Sequence, residues 1–330
     1  SGAGILDLVV TKQKLIISPE EIDEIAYYDY FIDKKTGYLT NPENKSDQLS
    51  VSSGLLLSDG EAVGECDFEP IVKSKNGSTT SSDKTELLNV AWDTYEKGDY
   101  KQALNLFKIV AESGVVEAQA HLGRMYFVEG ESVVQNYLEA LKWLMVSAEQ
   151  DNSSGQYYLG VMYDNGIGID ENNEEAAKWY QLSAEQNYSD AQNNLGKLYQ
   201  IGEGIPQNYL EALKWFRLSA EQGNLMGQYN LGYMYDHGMG SIENNIEAVK
   251  WYQLSAKQGY SDAQYSLGIM YHHGEGVPQN YQEAIKWYRL SAEQQNPQGQ
   301  YHLGLMYDNG LCINENNEEA VKWYRLASEQ

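Results

Sequence analysis

The sequence predicts a mainly α protein. An α-helical solenoid of about seven hairpins fills the last three-quarters, and a small α/β or irregular domain precedes it. Three observations predict this. Tryptophan recurs at Trp143, Trp179, Trp215, Trp251, Trp287 and Trp323, a step of 36 residues each time. Glycine keeps the same beat at Gly160, Gly196, Gly232, Gly268 and Gly304. Between these markers, apolar residues follow helical spacing, broken by glycine loops. A fixed period of this length marks modules that bury their apolar faces on one another.

The first 84 residues do not share the period. Ile5–Val10 and Leu15–Ile17 read as short strands. Ser18-Pro19-Glu20-Glu21 combines an N-cap serine, a first-position proline and first-turn acids, so it predicts a helix to about Tyr30. Asp33–Gly37 is turn chemistry. Leu55–Leu57 and Ala62-Val63, flanking Asp59-Gly60, predict a hairpin. Residues 1–75 are thus read as a small domain, or as an arm docked on the solenoid, and residues 76–84 as a linker.

Residues 85–330 form the repeat region. The stretch TELLNVAWDTYEKGDYKQALNLFKIVAES (85–113) predicts a hairpin turning tightly at Gly98-Asp99-Tyr100. In residues 189–222, Ala191, Leu195, Leu198 and Tyr199 are spaced for one helix, and Tyr209, Ala212, Leu213, Phe216 and Ala220 for a second. Gly202-Glu203-Gly204-Ile205-Pro206 cannot continue either. Gly196 costs its helix about 1 kcal/mol relative to alanine, so close approach of the paired helix is expected there. The loops alternate: 168–175 resembles 240–247 and 312–319, whereas Gln207-Asn208-Tyr209 returns at 135–137 and 279–281. The true period is therefore 72 residues, with acidic loops on every second unit. The final unit ends at Gln330 with an apolar flank. Further chain, a partner or a second copy is expected to cover it.

The pattern A-Q-x-x-L-G-x-x-Y-x-x-G-x-G followed by E-A-x-K-W-Y-x-x-S-A-E-Q resembles the Sel-1-like repeat of the tetratricopeptide superfamily, with six units over about residues 116–330. Residues 85–113 are similar to a plain tetratricopeptide hairpin. The resemblance implies a right-handed superhelix, a scaffold or adaptor role without catalysis, and, for many bacterial members, work in host interaction, secretion or toxin neutralisation.

Charge narrows the partner. Residues 1–84 hold 8 Lys against 15 Asp and Glu, and the rest holds 15 Lys and Arg against 33, giving −25 overall. Such a chain repels nucleic acid and anionic membranes and steers towards a basic protein, although acidity also serves plain solubility. No apolar run is long enough to span a bilayer. The compartment stays open, because the chain begins at Ser1 and not at Met. Cys66 and Cys312 lack companions at metal or redox spacing. His237, His272 and His273 have no neighbours completing a metal set, and the loops at 170–175 and 314–319 lack the central glycine and alternating ligands of a calcium loop. Their acids suit a helix N-terminus. Gly202-Glu203-Gly204 puts an acid where a phosphate would sit. No cofactor is expected. Only Asp7, Glu20, Asp23 and Cys66 offer an N-terminal active site, and they form no recognisable set. The rival roles are such an enzyme, or an envelope-assembly scaffold.

The tryptophans are expected in the core. In the tetratricopeptide superfamily, first-helix residues line the concave groove. The Leu-Gly pair then sets three ladders here: Tyr157, Asn193, Tyr229, Tyr265 and Tyr301; Val161, Lys197, Tyr233, Ile269 and Leu305; Asp164, Gln200, Asp236, His272 and Asp308. Tyrosine suits interfaces, and the carboxylates would receive a partner's Lys or Arg. The competing reading packs the tyrosines between helices and leaves the acids merely solvated.

Overall fold

The structure is a computed structural model. It describes residues 81–128, 134–311 and 315–329, with the backbone of five short strands. The chain divides into two compact units, Ser1–Ser113 and Gly114–Gln330.

In the first unit, β1 (Ile5–Leu6), β2 (Phe31–Asp33), β3 (Tyr38–Thr40), β4 (Gln48–Ser52) and β5 (Gly54–Leu55) form an antiparallel meander in chain order. Of the expected turn Asp33–Gly37, Asp33 ends β2 and the other residues lie outside those described. Leu55 pairs with Val51, and the rest of the hairpin expected across Asp59-Gly60 lies outside the described residues. Leu15–Ile17, the helix expected from Pro19 and residues 76–80 lie outside the described residues. Ser81–Lys84, read as the end of a linker, form the first turn of α1 (Ser81–Glu96). Helix α2 (Tyr100–Glu112) follows the expected tight turn. Gly98 has φ +83°, which glycine adopts freely, and Asp99 caps α2 by accepting from the Gln102 N–H at 3.1 Å. Trp92 meets Phe107 edge-on at 5.1 Å, closing this hairpin.

The second unit is a solenoid of six hairpins. They are α3 (Val116–Phe127) with α4 (Tyr137–Ala148), α5 (Ser153–Asn165) with α6 (Asn173–Glu185), and α7 (Ser189–Ile201) with α8 (Tyr209–Glu221). Then come α9 (Leu225–Asp236) with α10 (Asn245–Lys257), α11 (Ser261–His273) with α12 (Tyr281–Glu293), and α13 (Pro297–Asp308) with α14 (Asn317–Ser328).

Close approach explains the mid-helix glycine. A Cβ at Gly196 would lie 2.7 Å from the Phe216 ring, and one at Gly160, Gly232, Gly268 or Gly304 would strike Tyr180, Tyr252, Tyr288 or Tyr324. The two helix backbones therefore close over a flat aromatic face. Asparagine starts every second helix. Asn136, Asn172, Asn208, Asn244, Asn280 and Asn316 each accept an N–H from the first turn. The same asparagine donates its own backbone N–H to a carbonyl near the end of the first helix, as Asn208 does to Tyr199 O at 2.8 Å. One residue type thus caps the helix and clips the hairpin.

Between hairpins, a buried glutamine is the repeated join. Gln192 donates to Ala184 O in the preceding hairpin at 3.1 Å, and its Oε1 accepts from Gln222 at the end of its own hairpin at 2.7 Å. Gln156, Gln228 and Gln264 repeat both bonds. Gln300 makes the backward bond, and its Oε1 is buried with no bond among the described residues. The residue 30 positions on, Gln330, lies outside them.

The 72-residue alternation is visible in packing. Helices α5, α9 and α13 start at capping Asn152, Asn224 and Asn296, whereas α7 and α11 start at Tyr188 and Tyr260 without a side-chain cap. The tryptophans alternate too. Trp143, Trp215 and Trp287 are buried, and Trp179, Trp251 and Trp323 are half-buried.

Gly196→Ala tests the backbone–ring contact. Helix propensity alone favours alanine by about 1 kcal/mol, yet overpacking against Phe216 should destabilise the protein by about 1–3 kcal/mol. Adding Phe216→Leu should recover part of that loss in urea unfolding, a non-additivity expected only of touching residues.

Candidate functional site

On each first helix of the solenoid, positions four and then three residues apart fall on one stripe. The stripe carries the three expected ladders. Tyr157, Tyr229 and Tyr265 are half-buried and Tyr301 is exposed. Tyr233 and His272 are half-buried, Lys197 and Asp308 exposed, and Asp164 and Asp236 lie in partial recesses.

Asn193 is a correction. It is only 1% exposed, and its amide is consumed internally, donating to Asn194 and accepting from Asn230 at 2.8 Å. Its short side chain lets the next first helix settle over it, so it cannot line a groove.

The acids are not simply solvated. Asp164, Asp236 and Asp308 each accept from a tyrosine hydroxyl on the second helix of the same hairpin: Tyr180, Tyr252 and Tyr324, at 3.1–3.2 Å. In the fifth hairpin the pair is Tyr288 and His272, at 3.3 Å. In the third, Phe216 has no hydroxyl and the ladder residue is Gln200. Acceptor and hydroxyl thus come and go together, sixteen residues apart. Burial raises the Asp164 and Asp236 carboxyls above the usual range, partly offset by these hydrogen bonds.

The tyrosines stack in clusters that the sequence ladders did not reveal. Tyr157 meets Tyr188 at 5.0 Å and Tyr180 at 6.0 Å, while Tyr229 meets Tyr260 at 5.2 Å and Tyr252 at 5.7 Å. Tyr188 and Tyr260 belong to the uncapped helix starts, so the clusters follow the 72-residue period. The signal was the tyrosine placed where alternate units have a capping asparagine.

Charge is segregated between the two helix sets. Across the six first helices, only Arg124 and Lys197 are Lys or Arg. The second helices each present a lysine paired with a glutamate one turn earlier, such as Lys178 with Glu175 at 2.8 Å and Lys214 with Glu211 at 3.0 Å. These exposed pairs add little stability, but they neutralise the lysines locally. Lys142, Lys214, Lys286 and Lys322 also sit about 5 Å from the adjoining tryptophan rings. The Tyr/Asp stripe is left with few fixed cations.

The histidines do not converge on a metal. His237 stacks on Tyr233 at 4.0 Å, and His272 stacks on His273 at 4.8 Å. Among the described residues, no three His, Cys, Asp or Glu side chains form a group able to hold a metal ion. No described helix is long and apolar enough to cross a membrane. Glu174 and Glu175 lie in the first turn of α6, as an N-terminal dipole favours.

Burial pushes the phenols upward, Tyr229 and Tyr324 to about 12. A phenol held protonated in the fold contributes stability that is complete below its unfolded pKa, about 10. That stability is lost as pH climbs through the folded values. Alkaline titration followed by phenolate absorbance should therefore show a late, cooperative fraction of the 27 tyrosines, ionising together with loss of helical circular dichroism. A single smooth titration at the ordinary value would contradict this.

The Sel1 repeat family model matches residues 116–152, 153–188, 189–224, 225–260, 261–296 and 297–330. Among solved structures, the chain resembles a Sel1 repeat protein from Oxalobacter formigenes at 32% identity and TM-score 0.67, covering 73% of this chain and 96% of that one. It also resembles c5321, described as a protective antigen present in uropathogenic Escherichia coli strains with an SLR fold. There the identity is 35% and the TM-score 0.65, over 75% of this chain and 54% of that one. A curated relative, the DAP3-binding cell death enhancer 1 of Rattus norvegicus, is 33% identical over 69 residues, which is 21% of this chain and 13% of the relative. The chain thus spans a small part of that relative's length. Sel1 repeat proteins generally mediate protein–protein interaction and are typically non-catalytic scaffolds. With six matched units over most of its length, the chain belongs to the Sel1 repeat family.

Proposed function

We propose that this protein is a non-catalytic adaptor whose first-helix face binds a basic protein. The observation that carries the reading is the half-buried Tyr/Asp stripe, with its cations segregated onto the opposite helix set. Tyrosine offers rigid apolar area with a polar tip, and recessed carboxylates reward a cationic partner. The overall charge of −25 speeds encounter with such a partner. The sharper form of the proposal is an inhibitor or immunity-type protein that covers a basic toxin or effector. The Escherichia coli and Oxalobacter origins of its solved relatives support a bacterial setting. The same reading gives residues 1–75 to a small domain or arm of their own, ahead of the repeats.

The stacking found in the stripe dictates how to test this. Tyr229 and Tyr265 pack on the rings of Tyr252 and Tyr288, so removing them also harms the fold. Tyr233→Ala with Tyr301→Ala leaves the Tyr229–Tyr252 and Tyr265–Tyr288 pairs intact, and because Tyr301 itself meets Tyr324 at 5.6 Å the double variant is first checked for cooperative urea unfolding before its binding is read. In affinity capture from the native host, the retained protein should be basic and should elute earlier as salt rises. The double variant should weaken its retention by about tenfold or more. Equal retention by the variant, or a salt-insensitive acidic partner, would move the interface off this face.

A further inference from the structure

The ring pair of Tyr157 and Tyr180 recurs twice along the solenoid, at steps of 72 residues. Tyr157 meets Tyr180 at 6.0 Å, Tyr229 meets Tyr252 at 5.7 Å, and Tyr301 meets Tyr324 at 5.6 Å, with interplanar angles of 37°, 36° and 42°. At the first two pairs the following hairpin supplies a third ring. Tyr188 lies 5.0 Å from Tyr157, and Tyr260 lies 5.2 Å from Tyr229. Each of these tyrosines stands at the start of a first helix. The glutamine four residues on reaches the same seat: Gln192 donates to Ala184 O at 3.1 Å, and Gln264 to Ala256 O at 3.2 Å. That spacing puts ring and amide on one side of the incoming helix.

The third pair forms the same seat, and there it opens to the surface. Tyr301, Tyr324, Ala327 and Ser328 line a cavity of about 520 Å³, inside the range of about 300–1,000 Å³ usual for ligand sites. Tyr301 is 48% exposed, and Ser328 is exposed where its counterparts Ala184 and Ala256 are buried. The Ser328 carbonyl corresponds to the two glutamine acceptors. It belongs to the last turn of α14, where carbonyls have no partner within the helix. A second copy of the chain does not offer the matching pair. Tyrosine followed four residues later by glutamine occurs in the sequence only at Tyr188–Gln192 and Tyr260–Gln264. Both glutamines are buried in joins already made.

We propose that the Tyr301–Tyr324 seat captures a helix of another protein that starts with a tyrosine and carries a glutamine four residues later. The incoming ring packs on Tyr301, as Tyr188 packs on Tyr157 and Tyr260 on Tyr229. The glutamine amide donates to the Ser328 carbonyl, as Gln192 and Gln264 donate at the two interior seats. The lining of the seat holds no Lys, Arg, Asp or Glu. Its affinity therefore changes little with salt, unlike the capture of a basic protein by the stripe. The inference goes beyond the adaptor reading and does not rest on the charge of that partner.

The test titrates the full chain into a synthetic peptide with the sequence of residues 187–201, blocked at its start and fluorescein-labelled at its end, and reads anisotropy. The peptide should bind saturably, with a Kd that moves less than about twofold as salt rises from about 0.05 to 0.5 M. Its Tyr188→Ala version should bind at least about tenfold more weakly, and its Gln192→Leu version about threefold more weakly. In the chain, Ser328→Arg fills the seat from an exposed position, so it should abolish binding and leave urea unfolding unchanged. Tyr301→Ala should weaken binding about tenfold. Equal binding by the Tyr188→Ala peptide, or by the Ser328→Arg chain, would overturn the site. So would a dimer of the parent chain in sedimentation that Ser328→Arg abolishes, which would give the face to a second copy. Salt-sensitive capture of a basic protein that survives Ser328→Arg keeps the adaptor reading, whichever way the peptide behaves.

Discussion

Five of the six solenoid hairpins are built on the contact between a first-helix glycine and the face of one second-helix ring; in the first, Leu144 takes the ring's place. No side chain larger than hydrogen fits between them in five successive hairpins. That distance brings the ring hydroxyl within reach of the aspartate a turn further along the first helix. The aspartate in turn is held partly out of solvent, and its recess gives the stripe its chemical character. A flexible or wider hairpin would leave the same carboxylate freely hydrated and of little use in recognition. Packing distance and binding chemistry thus follow from one constraint.

Much of this was legible in the sequence because it repeats. The helices, the glycine contact and the 72-residue alternation all leave periodic traces, and the tight turn at Gly98 was readable from its local turn chemistry alone. What was not legible involved pairings between positions whose relation only folding reveals. Asn193 shares a ladder with four tyrosines, yet it is buried, because a small amide allows Asn230 of the next first helix to close over it. The aspartates read as free surface acids because nothing local announces a hydroxyl sixteen residues away. The substitution of Gln200 opposite Phe216 was the available clue: where the ring loses its hydroxyl, the ladder loses its acid.

The alternation also has a structural meaning. Capped starts at Asn152, Asn224 and Asn296 alternate with tyrosine starts at Tyr188 and Tyr260, and the aromatic clusters form around the latter. Asn224 and Asn296 also reach back to Asp190 and Asp262, at 2.6 and 2.7 Å. The aspartate of each tyrosine-type start is thereby held by the asparagine of the following start. The repeating object is accordingly a pair of hairpins with two unlike junctions, one amide-rich and one aromatic.

The glutamine joins have a mechanical consequence. Each buried glutamine gives a hydrogen bond to the hairpin before it and receives one from the end of its own hairpin. Pulling one hairpin away would strip the glutamine of its backward acceptor and strand a buried carbonyl, a cost far above that of an ordinary surface bond. Under tension the array should therefore hold its interior joins and peel from a terminus, one hairpin at a time. A ligand spanning several first helices would clamp the segment it covers, so the peeling front would stop at the edge of the bound region.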